Sequence, residues 1–483
     1  QGVIWVGTDD GNLQLTTDGG KTWNNLIAKL KGVPANTWIP QIHASPHNAN
    51  EAFVVLDNHR RNDWTPYVYR TRDLGKTWER LNLDNKMGFA YCVAQDPVEP
   101  NLLFVGTEFG LYVSVDGAKT WTKWKAGFPT VPTMDLAIHP RDGDLVIGTF
   151  GRAAYVLDDI RPLRAVAKEG SKVLDQPLRV FEAPVAYQAN IRQPAGMHNF
   201  AADNYFYGEN KPAGASISFA FNNAAKAEKD KLKTDSVKVE VLNASREVIR
   251  TFKAPAKPGV NRLLWKLDQK TPRLPSQPKP TGDRPEMGGM DVMPGEYLVR
   301  VSFDKAKDST KVIVKPDPRS PLPTEVLTAR REMVNQLIKK IETATTAADR
   351  LRESQEKIDL VNKQLGSRED EKAKNLKKSG EDLKKKLKTL LYTINPDPDV
   401  QGIFRSPNIL SSKLFEAMNY LQPTEGMPTT TEQNIVKQVD ETLKKTIPPI
   451  NDFFAKDWEA YKKAVSESEV KLFETYEPIK TMP

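Results

Sequence analysis

One short polar stretch holds most of the side chains that could bind a charged ligand. It contains His59, Arg60, Arg61 and Asp63, and it follows an apolar run that reads as a strand. Arginine presents a planar fork of donors that fits carboxylates, so this loop could bind a carboxylate, a sugar acid or the acidic surface of a partner. The alternative is a loop closed by its own ion pairs. Arg152, after another strand-like run, is a further candidate for the same rim.

The other residue types favour no second kind of chemistry. The five histidines are not spaced as zinc ligands are, and the sequence has neither a phosphate-binding glycine loop nor a nucleophile elbow. The single cysteine, Cys92, stands in an apolar run and is expected to be a buried core thiol. We therefore predict no metal, no cofactor and no internal disulfide.

Charge and hydropathy exclude two further classes. The net charge is +8, and the basic surplus is concentrated in residues 323–395, where acidic residues are interleaved and aromatic residues are nearly absent. That pattern is typical of a solvated helix face rather than of a nucleic-acid surface. No apolar run approaches the roughly 20 residues of a membrane span, so we predict no transmembrane segment.

A motif that occurs three times indicates the scaffold that positions these side chains. Residues 16–23, 71–78 and 114–121 fit the Asp-box pattern S/T-x-D-x-G-x-T-W, with Ala118 replacing the glycine in the third copy. The copies recur at roughly 50 residues, the period of β-propeller blades. The aspartate can accept backbone N–H groups and the glycine supplies a positive φ, so each copy predicts a tight turn, with the indole over the joint between sheets. The residues with this structural role are Asp18, Trp23, Asp73, Trp78, Asp116 and Trp121.

The first 160 residues repeat a unit of four short strands separated by Asn, Asp, Gly and Pro turns. We predict a partial β-propeller of about three and a half blades over residues 1–164. Such an array would leave open edges, so we expect further blades upstream or from another chain. The predicted strands are Val3–Gly7, Trp38–Ser45, Glu51–Asp57, Pro66–Arg72, Thr77–Leu81, Phe89–Gln95, Asn101–Thr107, Leu111–Val115, Thr120–Trp124, Thr133–His139, Asp144–Thr149 and Ala153–Leu157.

The remainder divides into a β-rich and a helical part. After a connector over residues 165–210, alternating strands over 211–320 predict an immunoglobulin-like β-sandwich. Its loop Thr271–Met293, rich in Pro and Gly, is expected to be an exposed excursion or contact arm. Over residues 321–483 the period becomes helical and predicts a helical hairpin or bundle that breaks at Gly366-Ser367 and at residues 395–398. The later helices are predicted at Leu410–Leu421, Thr431–Ile447 and Asn451–Phe473.

With these segments identified, the chain resembles the bacterial sortilin-like (Vps10-type) propeller proteins with Asp-box or BNR repeats, often labelled glycosyl-hydrolase-like. The resemblance implies an exported or cell-surface protein with a longer propeller upstream. It weakens beyond residue 395. Besides the three motifs, the matching segments are residues 57–69, 148–152, 156–159, 207–210, 212–215, 259–262 with Trp265, and 293–297.

The resemblance implies two ways to act on glycans. Sialidases of this class use an arginine triad and a Tyr/Glu nucleophile, but their Arg-Ile-Pro segment is absent from this sequence. Endoglucanase-type members need two carboxylates about 5–10 Å apart across a cleft. Candidates near strand ends are Asp9, Asp10, Asp57, Asp63 and Glu108.

Fold is not function, and no catalytic pair stands out. We expect a scaffold or binding protein for protein–protein or glycan interaction, outside the cytoplasm and within a larger assembly. The ligand candidates are His59, Arg60, Arg61, Asp63, Glu108 and Arg152. The alternatives are a glycoside hydrolase whose site is shared with further blades, and a propeller that grips an extended peptide by β-augmentation.

Overall fold

The described part of the chain forms two compact units. The computed structural model describes residues 2–189, 210–222, 235–279, 288–398, 408–421 and 426–468. The first unit comprises Gln1–Leu267 with Pro294–Lys315, and the second comprises Asp268–Met293 with Pro316–Pro483. In the described ranges no helix is both long and apolar enough to cross a membrane.

Four small antiparallel sheets follow one another along the first unit, and we call them sheets 1 to 4. In each sheet the strands are hydrogen-bonded in sequence order. Every strand predicted over residues 1–164 is found to within two residues; sheets 2 and 3 have four strands, and sheets 1 and 4 have three. Sheet 1 contains β1 (Ile4–Gly7), β2 (Leu13–Thr16) and β3 (Asn24–Asn25); sheet 2 contains β4 (Trp38–Ala44), β5 (Ala52–Asp57), β6 (Tyr67–Thr71) and β7 (Glu79–Arg80); sheet 3 contains β8 (Ala90–Gln95), β9 (Leu103–Thr107), β10 (Gly110–Ser114) and β11 (Thr122–Lys123); sheet 4 contains β12 (Thr133–Ile138), β13 (Leu145–Thr149) and β14 (Ala154–Leu157).

The sheets stack face to face, because alternate residues of the inner strands enter different cores. All six residues of β5 are buried. Val54 and Leu56 lie in a core shared with Leu13 of sheet 1, whereas Phe53 lies in a core shared with Val105 of sheet 3. A further core joins sheets 3 and 4. Burial of both faces of a sheet by its two neighbours is the packing of propeller blades.

Each Asp-box turn is closed by the same hydrogen bonds. In the second copy, Asp73 Oδ1 accepts from the Thr77 backbone N–H at 2.9 Å, and Oδ2 accepts from the Thr77 hydroxyl at 2.6 Å. The Thr71 hydroxyl donates to Asp73 at 2.9 Å and accepts from the Gly75 N–H at 2.8 Å. The other two copies repeat this geometry. In each copy the aspartate thus accepts the hydrogen bonds that close the turn.

The motif tryptophans cover a joint only where a preceding sheet exists. Trp78 of sheet 2 contacts Trp5 of sheet 1 edge-on, with ring centroids 6.0 Å apart. Trp121 of sheet 3 packs on the core shared with sheet 2. Trp23 of sheet 1 is 43% exposed, and Ile4 on the neighbouring β1 is also exposed. Sheet 1 therefore presents an apolar face that no other described residue covers.

Two further sheets complete the first unit and pack through aromatic contacts. Phe221 lies edge-on to Phe303 at 4.7 Å, and Trp265 lies edge-on to Tyr297 at 5.2 Å. Helix α1 (Arg161–Glu169), which the sequence did not predict, precedes them. The immunoglobulin-like topology remains a prediction. One sheet has the order β15 (Leu178–Val180), β17 (Ala215–Phe221), β20 (Gly259–Trp265); the other has the order β16 (Ala186–Gln188), β24 (Ala306–Pro316), β23 (Gly295–Phe303), β18 (Asp235–Leu242), β19 (Val248–Ala256).

The second unit is helical, and the buried apolar residues of its described helices share one core. The break at Gly366 is confirmed, since this residue ends α2 with φ 49°. The predicted helix at Leu410–Leu421 is confirmed residue for residue. The unit consists of the hairpin β21 (Asp268–Lys270) and β22 (Gly288–Asp291) and the helices α2 (Thr324–Leu365), α3 (Glu371–Ile394), α4 (Leu410–Leu421), α5 (Thr430–Phe453) and α6 (Glu459–Glu467).

The described part of the loop Thr271–Met293 lies against the helices, so the predicted exposed excursion is wrong, and the alternative of a contact arm stays a prediction. The Thr345 hydroxyl donates to the Arg273 carbonyl at 2.7 Å, and Arg352 and Asn395 donate to the Pro275 carbonyl at 2.6 and 3.1 Å. Leu274 packs on the helical core. Proline has no backbone N–H to donate, but its carbonyl can still accept hydrogen bonds. Here the Pro275 carbonyl accepts from side chains of the helical part of the chain.

The predicted break between helices at Pro448-Pro449 is also wrong. Helix α5 continues through both prolines to Phe453 and reaches α6 through a π-helical turn at Phe454–Trp458. Ile450 and Phe453 are buried in the helical core, so their burial outweighs the hydrogen bonds that the prolines remove. Residues 469–473 of the predicted last helix lie outside the described residues.

Candidate functional site

Equivalent loops of the four sheets bring most of the candidate residues to one end of the stack, which we call the upper face. These loops follow β1, β5, β9 and β13. Adjacent strands are antiparallel, so the Asp-box turns lie at the opposite end. The loops contain Asp9, Asp10, His59, Arg60, Arg61, Asp63, Glu108 and Arg152.

Asp57, the last residue of β5, fixes the orientation of His59. Its side chain is fully buried, whereas that of His59 is 30% exposed. The His59 Nδ1 lies 2.7 and 2.8 Å from the two carboxylate oxygens, and its backbone N–H donates to Oδ1 at 2.9 Å. In the parts of the chain that the structure describes, nothing binds the other ring nitrogen, Nε2. The imidazole is therefore presented with one nitrogen available to a ligand.

Aromatic rings from sheets 2 and 3 surround this imidazole. Phe89 stacks on His59 with ring centroids 4.3 Å apart and an interplanar angle of 14°. Trp64 lies 5.6 Å from Phe89 and is 49% exposed. Tyr91 meets Phe89 edge-on at 4.8 Å. The cluster thus offers an exposed indole on a buried aromatic base.

Glu108 completes the group from the end of β9. Burial raises the pKa of its carboxyl group, and the charge of His59 partly offsets this. Gly88 fits beside it only because it lacks a Cβ, whose position would lie 2.7 Å from Glu108 Oε2. Burial and the charges of Asp57 and Glu108 raise the pKa of Tyr91. We call Asp57, His59, Trp64, Phe89 and Glu108 the upper-face site.

The arginines and Asp63 in the same loop are held by local contacts. Asp63 accepts from Asn58 at 3.0 Å, from the Thr65 backbone at 3.2 Å and from the Tyr67 hydroxyl at 2.9 Å. Burial raises the pKa of Asp63, but these bonds outweigh it and the net shift is downward.

Both arginines are directed toward the start of β4 and the residues that precede it. Arg61 donates to the Ala35 carbonyl at 2.7 Å, and Arg60 lies over the Trp38 ring at 5.1 Å. These contacts agree with the structural alternative for this loop, although the predicted internal ion pairs are replaced by carbonyl and cation–π contacts. Arg60 remains exposed.

The other candidates do not join the upper-face site. Hydrogen bonds from Thr8 and Asn12 lower the pKa of Asp10, whose carboxylate they occupy. Asp9 and Arg152 are exposed, and within the described ranges Arg152 makes no hydrogen bond or ion pair. The sequence candidates thus lie on equivalent loops, and His59 and Glu108 are two of them whose charges influence each other.

Sequence reasoning missed the aromatic members of the site. Phe89 and Tyr91 were interpreted only as strand residues, and Trp64 only as part of a matching segment. The available signal was the alternation Phe89-Ala90-Tyr91, which places both rings on one face of the strand start. No group of three or more His, Cys, Asp or Glu side chains in the described ranges could hold a metal ion.

Comparison with known proteins gives distant structural likenesses. No family model and no curated protein matches. A GH74 enzyme from Niastella koreensis is 17% identical, with a TM-score of 0.28, over 38% of this chain and 30% of that one. The GH74 xyloglucanase from Xanthomonas campestris is 14% identical, with a TM-score of 0.29, over 65% of this chain and 42% of that one.

YCF48 from Cyanidioschyzon merolae is 20% identical, with a TM-score of 0.24, over 33% of this chain and 49% of that one. This chain thus spans less than half of each of these three structures. TM-scores of this size assign no family and no activity.

Proposed function

We propose that this chain is an extracytoplasmic glycan-binding protein of β-propeller type that works within a larger assembly. The observation that carries the proposal is the exposed Trp64 indole beside the His59–Phe89 stack and Glu108. An aromatic face covers the apolar face of a sugar ring, while carboxylate and imidazole groups bind its hydroxyls.

Occupied carboxylates favour binding over hydrolysis. Asp57 is fully buried and bound to His59, and Asp63 accepts three hydrogen bonds. Of the upper-face carboxylates, Glu108 and Asp9 have no side-chain partner among the described residues, and Asp9 does not belong to the upper-face site. Two-carboxylate hydrolysis needs a second group able to act as base or nucleophile.

A screen of the full chain against immobilised neutral and acidic oligosaccharides tests this proposal. We expect binding to one structural class of glycan and competition by the same soluble oligosaccharide. The proposal is wrong if no glycan binds at millimolar concentration, or if Trp64→Ala leaves the observed binding unchanged.

The open face of sheet 1 supports the proposal of an assembly. Val3, Ile4, Val6 and Trp23 are each more than a third exposed on this sheet. The equivalent faces of sheets 2 and 3 are covered by a preceding sheet. A further blade-like sheet, from additional sequence or from a partner chain, would bury them in the same way.

Native mass spectrometry, compared with the denatured intact mass, tests this part. Added mass that dissociates on denaturation identifies a partner chain. If only the single chain is detected and acrylamide still quenches the fluorescence of Trp23, the face of sheet 1 is not covered and the proposal of an assembly is contradicted.

A specific observation also favours a second candidate, a glycoside hydrolase with Glu108 as general acid. Burial raises the pKa of the Glu108 carboxyl group, so this group keeps its proton to higher pH than an ordinary glutamate, as a general acid requires. Reducing-end release from the bound glycan tests it. Glu108→Gln would then abolish release but retain binding, whereas release that survives this substitution excludes the role.

A further inference from the structure

A second polar site lies in the first unit, on the chain that leads from sheet 4 to the two following sheets. It is a cavity of about 500 Å³, within the size range of small-molecule sites. Its walls come from residues 141–144, 158–159, 184–189, 211–216 and 262–264. Segments that stood out in the sequence, residues 156–159, 212–215 and 259–262, converge here.

Most charges in this cavity are paired. Arg141 forms a two-point ion pair with Asp142, at 2.8 and 3.0 Å. Lys211 lies 3.0 Å from Asp144 and 3.8 Å from Asp158. Asp158, with a 38% exposed side chain, therefore shares its cation with another carboxylate.

Arg262 supplies a positive group without a carboxylate partner. Its guanidinium donates to the backbone carbonyl of Asp158 at 2.7 Å, and the described part of the chain places no acidic side chain in ion-pair distance of it. The side chain is exposed at the cavity wall. An arginine without an acidic partner can donate hydrogen bonds to the carboxylate of a ligand.

Asp159 supplies a buried acceptor without a donor. Its side chain is 2% exposed, and Oδ1 binds the Arg161 guanidinium at 2.7 Å. Its Oδ2 has no hydrogen-bond partner among the described residues, and the residue lies in the left-handed region with φ 52°. Asp159 lines the cavity, and an unsatisfied buried acceptor costs free energy that a ligand donor reaching it recovers; backbone strain is often found at functional sites.

We propose that this cavity binds a small zwitterion, a free α-amino acid with an apolar side chain. The ammonium group is recognised by Asp158 and Asp159 and the carboxylate by Arg262. The apolar side chain packs on the wall formed by Val185 and Leu264. The opposed charges favour this class over an anion such as phosphate, which four aspartates would repel.

Titration of the full chain with leucine, followed by ligand-observed NMR, tests the proposal. We expect N-acetyl-leucine and leucinamide, which lack the ammonium and carboxylate charges respectively, to bind at least about tenfold more weakly. This comparison needs no variant. Equal binding of all three ligands would overturn the proposal. Absence of binding by both leucine and phenylalanine at 10 mM would overturn it as well, and would mean that a water molecule satisfies Asp159.

Two arginine variants separate the proposed contact from a general change of charge. Arg262→Ala should lose affinity for leucine and lose the discrimination against leucinamide. Arg72→Ala, an exposed arginine of sheet 2 paired with Glu79, should leave both unchanged. An Arg262→Ala protein that still prefers leucine tenfold over leucinamide contradicts the assignment. Glycan binding is read out separately, so failure here leaves the upper-face site unaffected.

Discussion

Substituting Gly75 by alanine tests the packing of the sheets, with Gly19 as a matched control. Both glycines occupy Asp-box turns with φ 75°, so a Cβ costs the same backbone strain of about 1–2 kcal/mol, partly offset by a less flexible unfolded chain. At Gly19 nothing lies within 4 Å of the new Cβ. At Gly75 the Cβ would lie 2.5 Å from Leu26 Cδ1 and 3.2 Å from Trp5.

The steric contact at Gly75 therefore adds the cost of an overpacked core. Leu26 is 5% exposed and lies in the core between sheets 1 and 2, where an extra methyl group typically costs about 1–3 kcal/mol. We expect Gly19→Ala to destabilise the first unit by about 1 kcal/mol and Gly75→Ala by about 2–4 kcal/mol.

Urea unfolding followed by tryptophan fluorescence measures this difference, since eight of the nine tryptophans belong to the first unit. The third copy provides a further control, because Ala118 already has φ 72° and is 6% exposed. Ala118→Gly should change stability little, as relief of about 1 kcal/mol of strain offsets the loss of a buried methyl group. Equal unfolding midpoints for Gly75→Ala and Gly19→Ala would refute the packing of Leu26 and Trp5 described above.

Three other outcomes are expected. Hydrogen bonds from Thr77 lower the pKa of Asp73 to about 2, so the stabilisation by its carboxylate is complete above about pH 4 and is lost as the pH falls toward 2. Asp73→Asn should therefore flatten the acid dependence of the unfolding midpoint. An unchanged slope would contradict this expectation. Burial raises the pKa of Cys92, so a thiol reagent should modify it only after unfolding, and rapid labelling of the native protein would show the core to be open. The Glu432 side chain is 3% exposed, caps α5 at Thr429 and forms an ion pair with Arg330. Glu432→Ala should therefore lower the free energy of unfolding, measured by thermal unfolding, by about 3–5 kcal/mol. A decrease below about 1 kcal/mol would exclude a buried ion pair.

The strands of the four small sheets were predictable because their signals are local. An Asp-box turn is specified by side-chain bonds within a few residues, so the sequence identifies it without knowledge of the packing. The helix Leu410–Leu421 was predictable for the same reason, since its apolar spacing is contained within one element.

Long-range contacts explain what the sequence did not reveal. Helix α5 passes Pro448 because Ile450 and Phe453 enter a core built from distant helices. The carbonyl of Pro275 is bound by side chains more than 70 residues away. Proline marks a local break, but it contains no information about tertiary contacts that can compensate.

In the upper-face site, too, the local contact could be predicted from the sequence and the long-range contacts could not. Asp57 and His59 are two residues apart, and their contact follows from a strand end. Phe89 stacks on His59, and Glu108 experiences the charge of His59, only because sheet 3, to which both residues belong, stacks on sheet 2. A single sequence offers candidate loops, and the stacking order decides which loops form one site.

The most direct test of the central claim is the affinity of one bound oligosaccharide for two tryptophan variants. Trp64 and Trp23 are 49% and 43% exposed, and only Trp64 belongs to the upper-face site. We predict that Trp64→Ala weakens binding about thirtyfold, as expected for loss of an aromatic contact worth about 2 kcal/mol, whereas Trp23→Ala binds as the unaltered protein does. Equal affinities of the two variants would contradict the assignment of the upper face as the glycan site.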